Sequence, residues 1–545
     1  MAPNARFTEL TQPPDDDEVR RRWREFYREV RAASSTPLAR VLGPLLGDDT
    51  RRRQLFNQVR PPQSPSTTST FWIGDEAEFP AGYLPSALRG EPLAPEDVII
   101  VPVSPNASPA DLVEALEGAL TLPSTWLLIV DATREWREHH AVARRLLECG
   151  AGADVVFADE TGPSPRRPRL KPDEIGPHTL WSYNVVGRPA LLRRSLVSQV
   201  GGPRLEAGAA LEHDLYLRLL ETGAQFRHVA TVLPGRPARE DPLLAADSQR
   251  VVRAALTRRS LGAEVSAGPL DSLVTWRLSP RNEPLVDIVI PTRDRLDLLQ
   301  RCLDSLTTLT RYPHYRVIIC DNDSVEPATL DYLSQTPHLV VRCPGPFNYA
   351  AIVNRGVRSG VGDYVVTLNN DTVITQADWL DQMLGVAQLD DVAIVGCTLV
   401  GENAAHDHDG IALAPYPQHL RLGVNYPVRD EFILARRDVA AVTGAVQLFS
   451  RDTFESLGGM DESLAVVMND IDFCLRAQHD GRYVVVLSDV MITHHASASR
   501  GRLDPLDDRN QFVRRWGVFH ELRDPFFPPT MRLAGARIVA RTLAD

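Results

Sequence analysis

The sequence predicts an α/β protein built on a mainly parallel sheet of the nucleotide-binding kind, and three observations carry that expectation. Three apolar runs, residues 286–290, 317–320 and 364–368, are short, rich in Val and Ile and nearly continuous. That is how parallel strands covered on both faces read. Between the first two, Leu296, Leu299, Leu303 and Leu306 recur at helical spacing, so strand, helix and strand make a right-handed crossover unit. Each run is followed by carboxylates and amides: Pro291-Thr292-Arg293-Asp294, then Asp321-Asn322-Asp323-Ser324, then Asn369-Asn370-Asp371. Open parallel sheets bind ligands beyond the carboxyl ends of their strands, so the three clusters are expected at one edge. A nucleotide with a metal-bound diphosphate suits that edge.

Bulk properties narrow the class. A chain of 545 residues exceeds one ordinary core, and about 100 to 200 residues per domain gives two to four domains. The formal net charge of −12 supplies no basic domain, which argues against a protein held to nucleic acid by phosphate neutralisation. Six cysteines without a C-x-x-C pair read as buried free thiols in a reducing compartment. The first thirty residues lack an apolar signal core, and no apolar run reaches membrane-spanning length. A cytoplasmic protein is expected, with peripheral contact at the inner face of the membrane and self-association left open.

The series Ile290-Pro291-Thr292-Arg293-Asp294, Asp321-Asn322-Asp323-Ser324, Phe347-Asn348-Tyr349-Ala350, Asn354-Arg355-Gly356 and Leu368-Asn369-Asn370-Asp371 resembles the family 2 glycosyltransferases, notably the rhamnosyltransferase-like branch. The likeness continues through Thr443-Gly444-Ala445, Gly458-Gly459-Met460-Asp461-Glu462, Asn469-Asp470-Ile471-Asp472 and His494-His495. Each motif alone is weak; their order and spacing over residues 285–500 are specific. The resemblance implies a GT-A fold, Rossmann-like, that uses a nucleotide-sugar donor.

In chain order, residues 1–60 are expected as a helical extension. Asp15-Asp16-Asp17-Glu18 puts negative charge at a helix start, and Val19, Trp23, Phe26, Tyr27 and Val30 share one face. The opposite face carries Arg20, Arg21, Arg24, Arg28 and Arg31, so the helix either docks on the body of the protein, the favoured reading, or lies on an anionic bilayer. The run 61–70 is a linker by composition. Residues 71–245 then form a first α/β domain, with strands expected at 98–103, 126–130 and 154–158. Its second half repeats the later domain: residues 191–202 parallel 448–459, and Glu212-His213-Asp214 follows one Gly-Gly pair as Asn469-Asp470-Ile471-Asp472 follows the other. Because Asp131-Ala132-Thr133 stands where the acidic motif belongs, this copy is expected to be a degenerate GT-A domain, with a weakly active second site left open. A linker at 246–283 includes a helix at 248–261. The catalytic GT-A domain spans 284–503, ending in a small-residue, arginine-bearing flap at 496–502. Residues 504–545 are expected as a helical tail, with a helix at 508–522 and another open near the end.

Sugar transfer leaves a nucleoside diphosphate whose charge must be stabilised, and a divalent cation, Mg²⁺ or Mn²⁺, does this with oxygen or imidazole ligands. Asp371 is the first expected ligand from its place after the third strand. The resemblance implies His494 as the second, with His495 the substitute if the register slips by one. Asn369 stands where many relatives have an aspartate, so Asn369 or Asn370 is expected on ribose or phosphate. Asp321 should read the base or ribose, helped by Thr292, Asp294, Asn354 and Arg355. Turn and capping duties explain any one of these nearly as well. Asp470 opens a helix pattern, where the dipole favours a carboxylate, and the resemblance implies that it is the catalytic base, with Asp472 in reserve. One base without a second nucleophile implies inversion. The expected donor carries UDP, dTDP or GDP, and the resemblance implies as acceptor a glycan or lipid-linked saccharide of cell-surface polysaccharide synthesis. The rival expectation is a non-catalytic scaffold that binds nucleotide or glycan.

Overall fold

A computed structural model describes residues 6–7, 9–10, 14–32, 98–104, 107–132, 136–160, 169–233, 243–413, 417–422, 431–495, 505–517, 522–529, 531–534 and 537–540. The expected linker 61–70, the flap 496–502 and Thr133 lie outside the described residues.

The first sheet contains β1 (Val98–Val103), β2 (Trp126–Asp131), β3 (Val155–Glu160), β4 (Ala190–Arg193) and β5 (Phe226–Leu233), in the order β1-β2-β4-β3-β5. A hairpin of β6 (Ala263–Ala267) and β7 (Val274–Leu278) follows. The second sheet starts with β8 (Val286–Thr292), β9 (Tyr315–Asp321), β10 (Leu339–Arg342), β11 (Tyr364–Leu368), β12 (Thr372–Ile374), β13 (Val392–Val400) and β14 (His406–His408). The small pair β15 (Ile411–Ala412) and β16 (Gln418–His419) stands apart; β17 (Arg437–Asp438), β18 (Val446–Ser450) and β19 (Tyr483–His494) complete the sheet. Its main path is β10-β9-β8-β11-β18-β13-β19-β12.

The three apolar runs are parallel neighbours, β9 beside β8 beside β11, and their central residues are buried on both faces. Helix Leu296–Leu309 turns Leu298, Leu299, Cys302, Leu303 and Leu306 inward, as the spacing of its leucines predicts. Antiparallel β18 then joins β11 to β13, so the sheet is mixed.

Register makes the internal repeat explicit. β1, β2, β4, β3 and β5 pair with the same neighbours and senses as β8, β11, β18, β13 and β19. The likeness reaches side chains. Arg218 pairs with Asp214 and donates to the Val200 carbonyl at 2.7 Å, while Arg476 pairs with Asp472 and donates to the Leu457 carbonyl at 2.6 Å. Both Gly-Gly pairs, 201–202 and 458–459, adopt positive φ. Among the described residues the first sheet has no counterpart of β9 and β10, so β1 ends it.

Residues 246–283 are more than a connector. Helix Leu244–Arg258 packs on the first copy, and Trp276 of β7, fully buried, stands edge-on to Trp181 at 5.2 Å. Burying a large apolar side chain is worth about 1.5–3 kcal/mol, so this hairpin is part of the core. A polar seam runs beside it. Asp438 accepts from His178 Nδ1 at 2.6 Å and from the Thr179 amide and hydroxyl at 3.0 Å, and Ser182 donates to the Arg436 carbonyl at 2.6 Å. The two copies therefore meet through buried groups that satisfy one another.

Both ends of the chain clasp this body. Helix Asp16–Ala32 docks with Val19 and Trp23 buried against Phe512, Val513 and Trp516, and Trp23 Nε1 donates to Asn510 at 3.1 Å. Burial of Val19 and Trp23 favours docking over the bilayer. The C-terminal helix runs over Leu506–Trp516, ending at Gly517 with φ 89°. Where another helix was left open near the end, the chain forms a hairpin, β20 (Met531–Ala534) with β21 (Arg537–Ala540).

Between them Asp524, fully buried, accepts from the Leu413 amide at 2.8 Å and the Phe526 amide at 2.9 Å. Burial pushes its carboxyl up from 3.8 to about 6 against the pull of those amides. A raised folded pKa means stability present below the unfolded value and lost as pH rises through the folded one. Tail docking should weaken between pH 4 and 7, by about 3 kcal/mol at most. Asp524→Asn keeps an acceptor without a charge, and hydrogen exchange at the Leu413 amide should become flat with pH in that variant once intrinsic rates are divided out. An equal pH trend in parent and variant would refute the assignment.

Candidate active site

The carboxyl ends of β8, β9 and β11 bring the three polar clusters together. Asn370 Nδ2 donates to Thr292 Oγ1 at 3.0 Å, which ties the first cluster to the third. The Asn322 amide donates to the Thr292 carbonyl at 2.9 Å, which ties in the second. Asp321, fully buried, accepts from the Ser324 amide at 3.1 Å and forms an ion pair with the exposed Arg342 at the end of β10. The Asn369 amide donates to the Ala445 carbonyl at 3.0 Å, so the turn after β11 is pinned to β18.

Asp371 is 2% exposed, and its Oδ1 has no hydrogen-bond partner among the described residues. Thr372 of β12 pairs with His494 of β19, and this register sets His494 Nε2 3.4 Å from Asp371 Oδ1. His495 points elsewhere: its ring nitrogens lie 3.2 Å from Glu402 and 3.1 Å from Arg301. Burial opposes charge on His494, but Asp371 and Asp407 outweigh it and push the imidazole up to about 9. Two ligands at right angles on one cation, each about 2.0–2.3 Å away, stand about 3 Å apart. An orphaned carboxylate oxygen facing an imidazole nitrogen at 3.4 Å therefore fits a divalent cation with positions left for phosphate oxygens. Among the described residues no cluster holds three or more His, Cys, Asp or Glu suited to a metal.

Asp470 lies in the first turn of helix Asn469–His479, entered through Met468 at φ 66°. Its Oδ2 accepts from the Gly444 amide at 2.8 Å and its Oδ1 from the Ile471 amide at 2.9 Å, so two backbone donors hold a half-buried carboxylate. The Tyr349 hydroxyl donates to the Gly444 carbonyl at 2.6 Å. A Cβ on Gly444 would meet that hydroxyl at 3.2 Å and Asp470 Cβ at 3.3 Å, which is why a glycine stands here. Asp472 is excluded as a reserve base. It is fully buried and takes donors from Arg476 at 2.8 Å, Arg515 at 2.7 Å and Trp516 at 2.9 Å.

Several expected nucleotide residues have local structural duties. Asp294 Oδ1 accepts from the Val325 and Glu326 amides at 2.7 and 2.8 Å, fastening the turn before helix Pro327–Gln335. Asn354 is buried with its amide shared among Met460 N, Met460 O and Glu462 at 2.8–2.9 Å, clamping the loop after the Gly-Gly pair. Arg355 donates to the Arg342 carbonyl at 2.9 Å and stands behind the Asp321–Arg342 pair. Asp294 thus uses Oδ1 to fasten its neighbouring turn, and Asn354 has both its amide oxygen and its amide nitrogen engaged by the loop at 460–462.

Sequence reasoning missed the hairpin after β13. Asp407, on β14, faces His494 from the side opposite Asp371, and His419 lies within electrostatic reach of Asp407, Asp470 and His494. The run His406-Asp407-His408-Asp409 was the signal available, four ionisable residues in a row. His408 is buried and pushed well below the usual imidazole range by that burial, so it is neutral; its Nε2 accepts from the Thr443 amide at 3.4 Å.

Among the described residues the first copy differs at the matching positions. Register places Asp131-Ala132 on Asn369-Asn370 and Arg188 on Ala445. Glu212 falls where Asp470 stands, two residues before the matched Asp–Arg pair, but Arg188 grips it in a buried double hydrogen bond at 2.7 and 2.8 Å. Both oxygens of this carboxylate are thus engaged by the guanidinium fork, whereas those of Asp470 meet only backbone amides.

A mixed sheet that carries a carboxylate and a histidine at the ends of β11 and β19, and a second carboxylate over the adjoining β18 turn, is a GT-A fold. Residues 287–458 match the family model for glycosyl transferase family 2, and this segment is a domain of that family. The chain is 32% identical over 427 residues to the O-antigen biosynthesis protein RfbC of Myxococcus xanthus, covering 72% of this chain and 33% of that protein. It is 30% identical to the uncharacterized protein y4gI of Sinorhizobium fredii, covering 71% and 46%. The chain thus spans between a third and a half of these relatives. Among solved structures, the mannosyltransferase PcManGT from Pyrobaculum calidifontis in complex with GDP-Man and Mn²⁺ aligns at 19% identity and a TM-score of 0.32, over 41% of this chain and 60% of that one. Among the described residues no helix is long and apolar enough to cross a membrane.

Proposed function

We propose that the chain is an inverting glycosyltransferase that moves a sugar from a nucleotide-sugar donor to a hydroxyl of a glycan or lipid-linked saccharide, in cell-surface polysaccharide synthesis. One observation carries the reading: the partnerless Asp371 oxygen faces His494 while Asp470 is held on the Gly444 amide at the neighbouring strand end. A pure scaffold has no physical need of that pairing. The printed name of the Myxococcus relative supports the polysaccharide class.

Asp371 and His494 would hold a divalent cation; the chemistry such an ion supplies when bound is neutralisation of charge on the departing diphosphate. Thr292, Asn369, Asn370 and Asp321 line the nucleotide side, and Arg342 is free to turn from Asp321 toward a phosphate because its side chain is 61% exposed. Asp470 takes the acceptor hydroxyl proton as that oxygen bonds to the anomeric carbon and the bond to the diphosphate breaks. Gly444 lets the ligands approach the backbone. The first copy, its base position neutralised by Arg188, serves architecture.

Calorimetric titration with UDP, GDP and dTDP, each with and without Mn²⁺, tests the site. One nucleotide should bind in a metal-dependent way, and Asp371→Ala should weaken it by about 10-fold or more. A folded protein that binds none of the three would instead be the scaffold.

A further inference from the structure

The hairpin that follows β13 has a built connection to the metal pair. β14 pairs antiparallel with β13, His408 opposite Leu399 and His406 opposite Val400, with a register irregularity between them. Asp409 is the post that fixes it. Fully buried, it accepts from the Thr398 hydroxyl at 2.7 Å, His406 Nδ1 at 2.8 Å and the Leu422 amide at 2.7 Å. Asp407, between His406 and His408 on β14, faces His494. Arg421 holds it there, with Nη2 3.0 Å from the Asp407 carboxylate and Nε donating to the Asp407 carbonyl at 3.1 Å.

The His494 ring thus lies between two carboxylates, one for each nitrogen: Nε2 is 3.4 Å from Asp371 Oδ1 and Nδ1 is 3.9 Å from Asp407 Oδ2. Nδ1 is buried without a hydrogen-bond partner among the described residues. A neutral imidazole carries one N–H, and only the other nitrogen can ligate a metal. A carboxylate beyond Nδ1 keeps the proton there and leaves the Nε2 lone pair toward Asp371. A ring movement of about 1 Å brings Nδ1 into hydrogen-bond reach.

We infer that Asp407 is a positioning residue for the metal site, setting the tautomer and orientation of His494 without itself touching the ion. The inference rests on the metal-binding reading of Asp371 and His494 proposed above. It adds a chemical duty to a loop that otherwise reads as a surface insertion, and it makes Arg421 and Asp409 parts of the same support.

The test is titration with Mn²⁺ alone, free ion being read by electron paramagnetic resonance, on the parent chain, His494→Ala, Asp407→Asn and Asp407→Glu, each checked for an unchanged melting midpoint. The expected result is loss of binding in His494→Ala and a Kd raised about 10- to 100-fold in Asp407→Asn, with partial recovery in Asp407→Glu. Transfer by Asp407→Asn should return as Mn²⁺ is raised, which damage to the fold would not permit. Binding by Asp407→Asn within about twofold of the parent, while His494→Ala loses it, overturns the role of Asp407 and leaves the metal reading standing. Equal binding by the parent and His494→Ala removes the metal reading, and the inference with it.

Discussion

Asp470→Asn is expected to lower sugar transfer by about 10² to 10⁴ while leaving nucleotide binding unchanged. The side chain keeps its shape, and its oxygen can still accept from the Gly444 amide at 2.8 Å, so the glycine wall should survive, at the loss of the acceptor for the Ile471 amide. What disappears is the proton acceptor. The decisive comparison is kcat against calorimetric donor affinity in the same preparation. A loss confined to kcat fits a base acting on the acceptor; full turnover would falsify the assignment. Asp470→Ala is the weaker experiment, because it also removes the partner of two backbone amides.

The largest expected effect on stability comes from a residue outside the site. Asp287 of β8 is fully buried and accepts from Arg316 at 2.5 Å, Arg451 at 2.8 Å and the Gly362 amide at 2.7 Å. Removing one partner of a buried ion network strands the others, at a cost of about 3–5 kcal/mol. Asp287→Ala should therefore shift chemical denaturation of the second copy to lower denaturant, because Arg316 of β9 loses its carboxylate and Arg451, after β18, keeps only the Gly362 and Val357 carbonyls, which carry no compensating charge. Restoring volume with Asp287→Leu should recover little unless both arginines are also replaced. A midpoint unchanged in Asp287→Ala would mean that solvent reaches these guanidinium groups.

Much of the fold was legible in local pattern. Continuous Val and Ile runs marked β8, β9 and β11, and the polar clusters after them marked the ligand edge, because a strand buried on both faces tolerates polar groups only where it ends. The repeat was legible because Leu-Arg-Arg-Ser and Phe-Ser-Arg-Asp each lead to a Gly-Gly turn and then a helix bearing an Asp–Arg pair. The hairpin of β6 and β7 was missed for the converse reason. Its alternation is short and weak, and only Trp276 meeting Trp181 reveals that it belongs to the core.

By itself the sequence determined which residue types stand at the strand ends: a carboxylate after β11, a histidine pair after β19, an acidic first turn in helix Asn469–His479. Tertiary structure decided how each is used. It turned His494 and not His495 toward Asp371, committed Asp294 and Asn354 to fastening loops, buried Asp472 under Arg476 and Arg515, and brought Asp407 across from a distant hairpin. The physical reason is that a polar side chain takes the nearest geometry that satisfies it, and the partners that do so here come from other strands, beyond the reach of any local spacing.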